Sequence, residues 1–451
     1  MIFMKIKRRI ERMSKWFLLF VIFPLQGYTQ DLRSDSVHID LKKAIEIALS
    51  ENPSIRIAER EVHIKKYTKA EQMVSLFPNA ALVGSYNRTL KKQVMTMDFG
   101  GQVMEIEVGT DNNYSAGLNF SMPIINASLW NSIKLSEMDV EMAFESARAS
   151  RLSLISEVKK AYYSMLFAKE AYDVLQKNYD NVSLTYETVL NKYNQGMASE
   201  FEKLRAEVQL KNQRPSLLSA KSNLAFASMM LKVMIGLEVN EPIVFEGNLS
   251  DFEETVKNNP LPNIDSLSLE NNSNLLQMQL AEKQLEKTKN IIISSACPTL
   301  SLSGNYQYTT MNNNFKFADY KWNPYSVIGL NLSIPLVSWA STAYKVQSGN
   351  LRIENIKDQR LALERNLKIS INNSIIKINN AIEELESNKE TMLQAEKAYQ
   401  ISLKQYEIGM STWLDLSSAE LAYTSAKLTY NQSIYTYLSA YAELEETIGK
   451  E

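Results

Sequence analysis

From Ile124 to Gln195 the chain contains neither glycine nor proline, and this run of about 72 residues would extend roughly 108 Å as one continuous helix. Helices in globular domains are far shorter. Within the run Val158, Ala161, Met165, Ala168, Tyr172, Leu175, Tyr179, Val182, Tyr186, Val189 and Tyr193 keep the three-four spacing of a left-handed coiled coil. Small residues alternate with tyrosines, which suits a helix that meets several neighbours better than it suits a dimeric zipper. At heptad spacing the tyrosines read as packing residues, not as a ligand ladder.

The long run belongs to a duplication. Gly117-Leu118-Asn119-Phe120-Ser121-Met122-Pro123 returns as Gly329-Leu330-Asn331-Leu332-Ser333-Ile334-Pro335. Tyr193, Gly196, Met197, Ala206 and Glu207 return 213 residues later as Tyr406, Gly409, Met410, Ala419 and Glu420, and Ile235-Gly236 returns as Ile448-Gly449. Pro78, Gly84 and Tyr86 answer to Pro298, Gly304 and Tyr306 at an offset of 220. The change of offset predicts a longer connection between the two strand-like segments of the first copy. The second copy keeps the helical register with Ile371, Ile378, Ala381, Leu385, Met392, Ala395, Tyr399 and Tyr406. The repeats occupy residues 30–238 and 267–451. Residues 239–266, with Pro242, Gly247, Pro260 and Pro262, read as the linker. Asp40 caps a short amphipathic helix, and Asn52-Pro53 starts another that runs to about Phe77. A helical pattern resumes after Gly196 and after Gly409, so each glycine predicts the tip of an antiparallel helical hairpin.

Between the helices the periodicity falls to two. Tyr114, Ala116, Leu118, Phe120 and Met122 alternate with Ser115, Gly117, Asn119 and Ser121; Ile328, Leu330, Leu332 and Ile334 alternate with Gly329, Asn331 and Ser333. The segment after Pro298 does the same, with a weaker version from Ala80 to Tyr86. Each is close to the 9 to 11 residues that a tilted strand needs to cross a bilayer. Four strands cannot close a barrel, for which about eight is the practical minimum, and an open edge in lipid leaves backbone groups unpaired. Several copies must share one barrel, two giving eight strands and three giving twelve.

The amino terminus supports export. Lys5, Lys7, Arg8, Arg9, Arg12 and Lys15 precede the apolar run Trp16–Phe23 and then small and polar residues to Gln30, the order of a secretory signal peptide over residues 1–29. Its removal takes the formal charge from −2 to about −7, which leaves no basic nucleic-acid surface. Cys297 is the only cysteine, so an exported chain of this size relies on packing, oligomerisation or both. No later segment is apolar for 18 residues. With only His38 and His63 and no phosphate loop or nucleophile elbow, the sequence predicts neither an enzyme nor a cofactor or metal site. Met95, Met97 and Met104 are soft-metal donors in principle but read as adaptable apolar contacts.

The order of helix, strand pair, very long helix, glycine tip and returning helix, written twice, resembles the TolC family of outer-membrane efflux proteins. The resemblance covers essentially the whole mature chain. It rests on Leu41-x-x-Ala44-Ile45-x-x-Ala48-Leu49-x-x-Asn52-Pro53, on the strand motifs marked by Gly117, Pro123, Gly329 and Pro335, and on the two Tyr-x-x-Gly tips. It implies a mainly α fold: a homotrimer with a long α-helical coiled-coil barrel in the periplasm and a shared twelve-stranded β-barrel in the outer membrane of a Gram-negative bacterium. The implied function is the passive exit duct of a tripartite efflux system, working with a periplasmic adaptor and an RND or ABC-type inner-membrane transporter. The same duct serves one-step (type I) protein secretion. From the residues alone, a soluble periplasmic coiled-coil adaptor or scaffold is the rival. The resemblance also implies adaptor contact at Gly196, Met197, Gly409 and Met410, and a gate in which Tyr406 bonds Glu202 and Asp415 lines the constriction. Two family positions depart from the pattern: Ser411 replaces an arginine and Ser418 a second acid.

Overall fold

The computed structural model describes residues 37–100, 102–253, 269–336 and 339–450. The signal-peptide segment and residues 254–266 of the expected linker lie outside them. Along the chain run β1 (Val37–Ile39), α1 (Leu41–Glu51), α2 (Pro53–Val74), β2 (Asn79–Arg88), β3 (Gln93–Phe99), β4 (Gln102–Val108), β5 (Asn112–Ile125), α3 (Ala127–Asn194), α4 (Glu200–Met234), β6 (Ile243–Phe245), α5 (Ser273–Ser294), β7 (Thr299–Asn312), β8 (Asn323–Ser333), α6 (Trp339–Glu407) and α7 (Trp413–Ile448). One small unit is the parallel pair of β1 and β6. Part of the expected linker is therefore a strand, too short for its periodicity to be read.

The remaining elements form the second unit. α3 and α6 are single helices of 68 and 69 residues, each about 100 Å long. α3 packs against α2, α4, α5 and α7, and α6 against α5 and α7. Several neighbours at unequal distances explain why the buried stripe of α3 wanders from the expected seam. Val158, Met165, Val182 and Val189 are buried, but so are Tyr162, Tyr163 and Leu166, while Tyr172, Tyr179 and Tyr186 are only half-buried. In α6 the seam residues Ile371, Ile378, Ala381 and Leu385 are buried, while Met392, Ala395, Tyr399 and Tyr406 are only half-buried. α4 continues through Pro215, which sacrifices one backbone bond without ending the helix.

Each repeat closes on itself by the same device. Asn52 caps α2 through Ser54 N–H (2.8 Å), and its amide donates to the Met234 carbonyl at 2.6 Å. Asn272 caps α5 through Leu275 N–H (2.9 Å) and donates to the Thr447 carbonyl at 2.7 Å. Both asparagines are buried, so one side chain satisfies a helix start and a helix end at once. Asn52→Ala or Asn272→Ala should each destabilise the protein by about 2 kcal/mol, from a lost cap and an orphaned carbonyl. Thermal unfolding of the detergent-solubilised protein reads the effect.

The sheet is antiparallel throughout, in the order β2-β5-β7-β8. Up to the shift after Pro123 its registers put the even-numbered positions on one face. The row Leu82, Leu118, Tyr306 and Ser326 is one example, and the row Ala80, Phe120, Gly304 and Ile328 the next. Glycine is required at Gly117, where a Cβ would meet the Gln307 backbone; at Gly304 a Cβ would push the Phe120 ring aside, and at Gly329 nothing lies within 4 Å. Pro123 sits at a register shift of β5, where a missing N–H is tolerated. Pro335 falls just beyond β8. The longer first-copy connection contains the hairpin β3–β4, with Met97 opposite Met104 and Met95 opposite Ile106.

Candidate functional site

Two places are candidates for function, the face of the sheet and the tips of the helical hairpins. On the even face Leu82 is 80 % exposed, Ile328 71 %, Leu330 65 %, Leu332 63 % and Leu118 53 %. A water-soluble fold would cover such a patch. The odd face is polar: the Ser85 and Ser115 hydroxyls lie 2.7 Å apart, and Asn331 donates to Ser303 at 2.7 Å. Toward the turn end of the strands Tyr86 stacks on Tyr114 at 4.7 Å, and Phe317 and Tyr320 pack against Tyr114 at 5.7 and 5.6 Å. Aromatic rings at the end of an apolar band are the pattern of a membrane interface. β2 and β8 are the unpaired edges of this sheet.

The two tips are built alike. Gly196 and Gly409 adopt φ of 75° and 77°, the left-handed conformation that lets a helix end abruptly. Met197 N–H then donates to the Lys192 carbonyl and Met410 N–H to the Gln405 carbonyl, both at 2.8 Å. Met197 and Met410 are exposed at 68 % and 77 %. A capping box starts each returning helix. Ser199 N–H donates to Glu202 at 3.0 Å while Glu202 N–H donates to the Ser199 hydroxyl at 3.2 Å. Thr412 N–H donates to Asp415 at 3.1 Å and its hydroxyl at 2.6 Å, while Asp415 N–H donates back at 3.2 Å.

The expected gate residues are thus occupied locally. Hydrogen bonds from the Thr412 hydroxyl and N–H hold the Asp415 carboxyl below its ordinary range, and Ser411 adds a third bond at 3.3 Å. The serine that replaces the family arginine therefore joins a cap. Glu202 and Tyr406 are neighbours: burial first, and the Glu202 charge second, push the Tyr406 phenol up. Among the described residues no hydrogen bond joins them; Lys192 lies over the Tyr406 ring at 4.5 Å instead. Arg205 stands between the Phe201 and Trp413 rings at 5.5 and 5.3 Å. The Ser417 hydroxyl donates to Gln209 at 2.8 Å. Lys192, Arg205, Gln209, Trp413 and Ser417 therefore join one hairpin to the other. The sequence offered a signal for the capping boxes, Ser199-x-x-Glu202 and Thr412-x-x-Asp415, but none for these cross-hairpin pairs.

The sequence matches a family described as outer membrane efflux protein over residues 44–237 and 265–450. It is 23 % identical over 230 residues to outer membrane protein TolC of Vibrio cholerae, covering 51 % of this chain and 52 % of that protein. It is 28 % identical over 196 residues to toxin and drug export protein A of Aggregatibacter actinomycetemcomitans, covering 43 % and 39 %. The matched segments thus span about half or less of these curated relatives. The CmeC outer membrane channel of Campylobacter jejuni has the same fold: TM-score 0.72 at 18 % identity, with 91 % of this chain and 85 % of that one covered.

Proposed function

The chain belongs to the outer membrane efflux protein family, and on that premise we propose that it is a passive outer-membrane exit duct of a tripartite efflux system. Three copies side by side would join the β8 edge of one sheet to the β2 edge of the next, giving twelve strands and no edge in lipid. The observation that carries this reading is the four-stranded sheet itself, apolar on one face, polar on the other and open at both edges. In this arrangement the even face meets lipid and the odd face lines a wet lumen. A soluble scaffold would gain nothing from such a face.

The helical hairpins form the periplasmic conduit, and their tips are its entrance and gate. The exposed Met197 and Met410 beside Gly196 and Gly409 are adaptable apolar contacts for a periplasmic adaptor, which would connect the duct to an RND or ABC-type inner-membrane transporter. Three Asp415 carboxylates, ionised well below neutral pH, would favour cations at a narrow neck. The cross-hairpin contacts act as the latch. Exposed cation–π pairs contribute about 0.5–1 kcal/mol, so Lys192→Ala should raise resting conductance in a planar bilayer about two- to fivefold. Tyr406→Phe with Glu202→Gln keeps both the ring and the capping box, and should change it little. Conductance opened by the double variant but not by Lys192→Ala would return the latch to the Tyr406–Glu202 pair.

A further inference from the structure

Glu207 and Glu420 hold the same place in the two copies of the sequence, yet their surroundings are opposite. One turn to either side of Glu207 stand Lys203 and Lys211. Lys211 binds the carboxylate at 2.7 Å, and that bond holds the Glu207 acid below its ordinary value. The residues matching those lysines in α7 are Leu416 and Thr424, both buried. Glu420 is buried between them at 5 % exposure, and its Oε1 has no hydrogen-bond partner among the described residues. Burial alone pushes its carboxyl up to about 7.

Its position is the seam between the hairpins. Val182 and Thr185 of α3, Ala206 and Gln209 of α4, and Trp413 and Ser417 of α7 enclose one side. The other side opens on a cleft of about 430 Å³ between α3, α6 and α7. The titratable and charged groups facing Glu420 from these elements all have other engagements or keep their distance. On α3, Glu170 accepts the Leu249 N–H at 2.6 Å, and Asp173 and Lys177 line the cleft without bonding Glu420. On α4, Arg205 is held between two rings. On α6, Tyr399 is near enough for the Glu420 charge, after burial, to help raise its phenol to about 12. On α7, Tyr423 donates to Glu396 at 3.3 Å, Lys427 lies over the Tyr423 ring at 6.0 Å and Tyr430 donates to Glu253 at 2.7 Å.

We propose that Glu420 is a proton-binding site that couples the hairpin seam to pH. Protonated, it lets α7 pack against α3 and α4. Ionised, it requires fuller hydration than 5 % exposure in the packed seam allows, so loss of one proton to water per protomer favours separation of the hairpins. The closed state has the higher pKa. Its advantage is therefore complete below the ordinary carboxylate range and is lost as pH rises through about 7. The proposal rests on the channel reading and on the tips as its gate.

Planar-bilayer recordings of the purified full-length protein between pH 5 and 8.5 test it. Resting open probability of the unmodified protein should rise roughly tenfold or more across neutral pH. Glu420→Gln, and Glu420→Met as a second non-ionisable variant, should remain low and flat, while Glu207→Gln should follow the unmodified protein. A flat profile for the unmodified protein, or an undiminished step in both Glu420 variants, overturns the proposal and leaves the channel reading standing. Absence of current from the unmodified protein at every pH overturns both.

Discussion

Leu118→Arg should remove the protein from the outer membrane, whereas Asn119→Arg, one residue along the same strand, should leave assembly intact. Leu118 lies near the middle of β5 on the even face, opposite Leu82 and Tyr306, and is 53 % exposed. Arginine near the midplane of the lipid-facing side of a barrel costs about 2–4 kcal/mol, and the proposed trimer would bear that cost three times. Asn119 points to the polar face, where a charge reaches water. The amount of folded, heat-modifiable protein in the outer-membrane fraction separates the two outcomes. Equal assembly of both variants would show that the even face does not meet lipid.

The second large effect should come from glycines far from the hairpin tips. Gly236 and Gly449 end α4 and α7 with φ of 86° and 72°. A Cβ at Gly236 would lie 2.7 Å from the Glu51 backbone, and one at Gly449 would run into the Asn271 carbonyl. Backbone cannot yield as a side chain does. Gly236→Val or Gly449→Val combines a left-handed penalty of about 1–2 kcal/mol with that overlap, for a loss on the order of 3–5 kcal/mol. Gly196 and Gly409 share the conformation, but nothing lies within 4 Å of a Cβ there, so alanine at a tip should cost only about 1 kcal/mol. The yield of folded protein should fall steeply for the first pair and little for the second. The glycines that pin each repeat to its own start are thus more demanding than those that turn its hairpin.

Much of this was legible in the sequence because the elements are long and their periods differ. The run free of glycine and proline is a helix, the alternating segments pair with one face apolar, and Gly196 and Gly409 turn the chain as their placement implies. Short or locally ambiguous pieces were not legible. Three-residue β1 and β6 are below any periodicity. β3 and β4 are only seven residues each, and the poor strand formers Asp98, Glu105 and Glu107 interrupt them. Pro215 would ordinarily end a helix, and tertiary packing overrides it. At the tips, Glu202 and Asp415 were expected as gate carboxylates, whereas the structure places each in a capping box with Ser199 or Thr412. The Lys192–Tyr406 and Arg205–Trp413 pairs join residues about 210 positions apart, and no local pattern announces them. The difference between Glu207 and Glu420 was written in their neighbours, two lysines against a leucine and a threonine. Only the burial of α7 gave that difference meaning.

The proposed shared barrel is tested most directly by native mass spectrometry of the full-length protein extracted from outer membranes in mild detergent. The account predicts a particle of three chains that requires detergent to stay in solution. A single chain that remains soluble and monodisperse after detergent removal would contradict it.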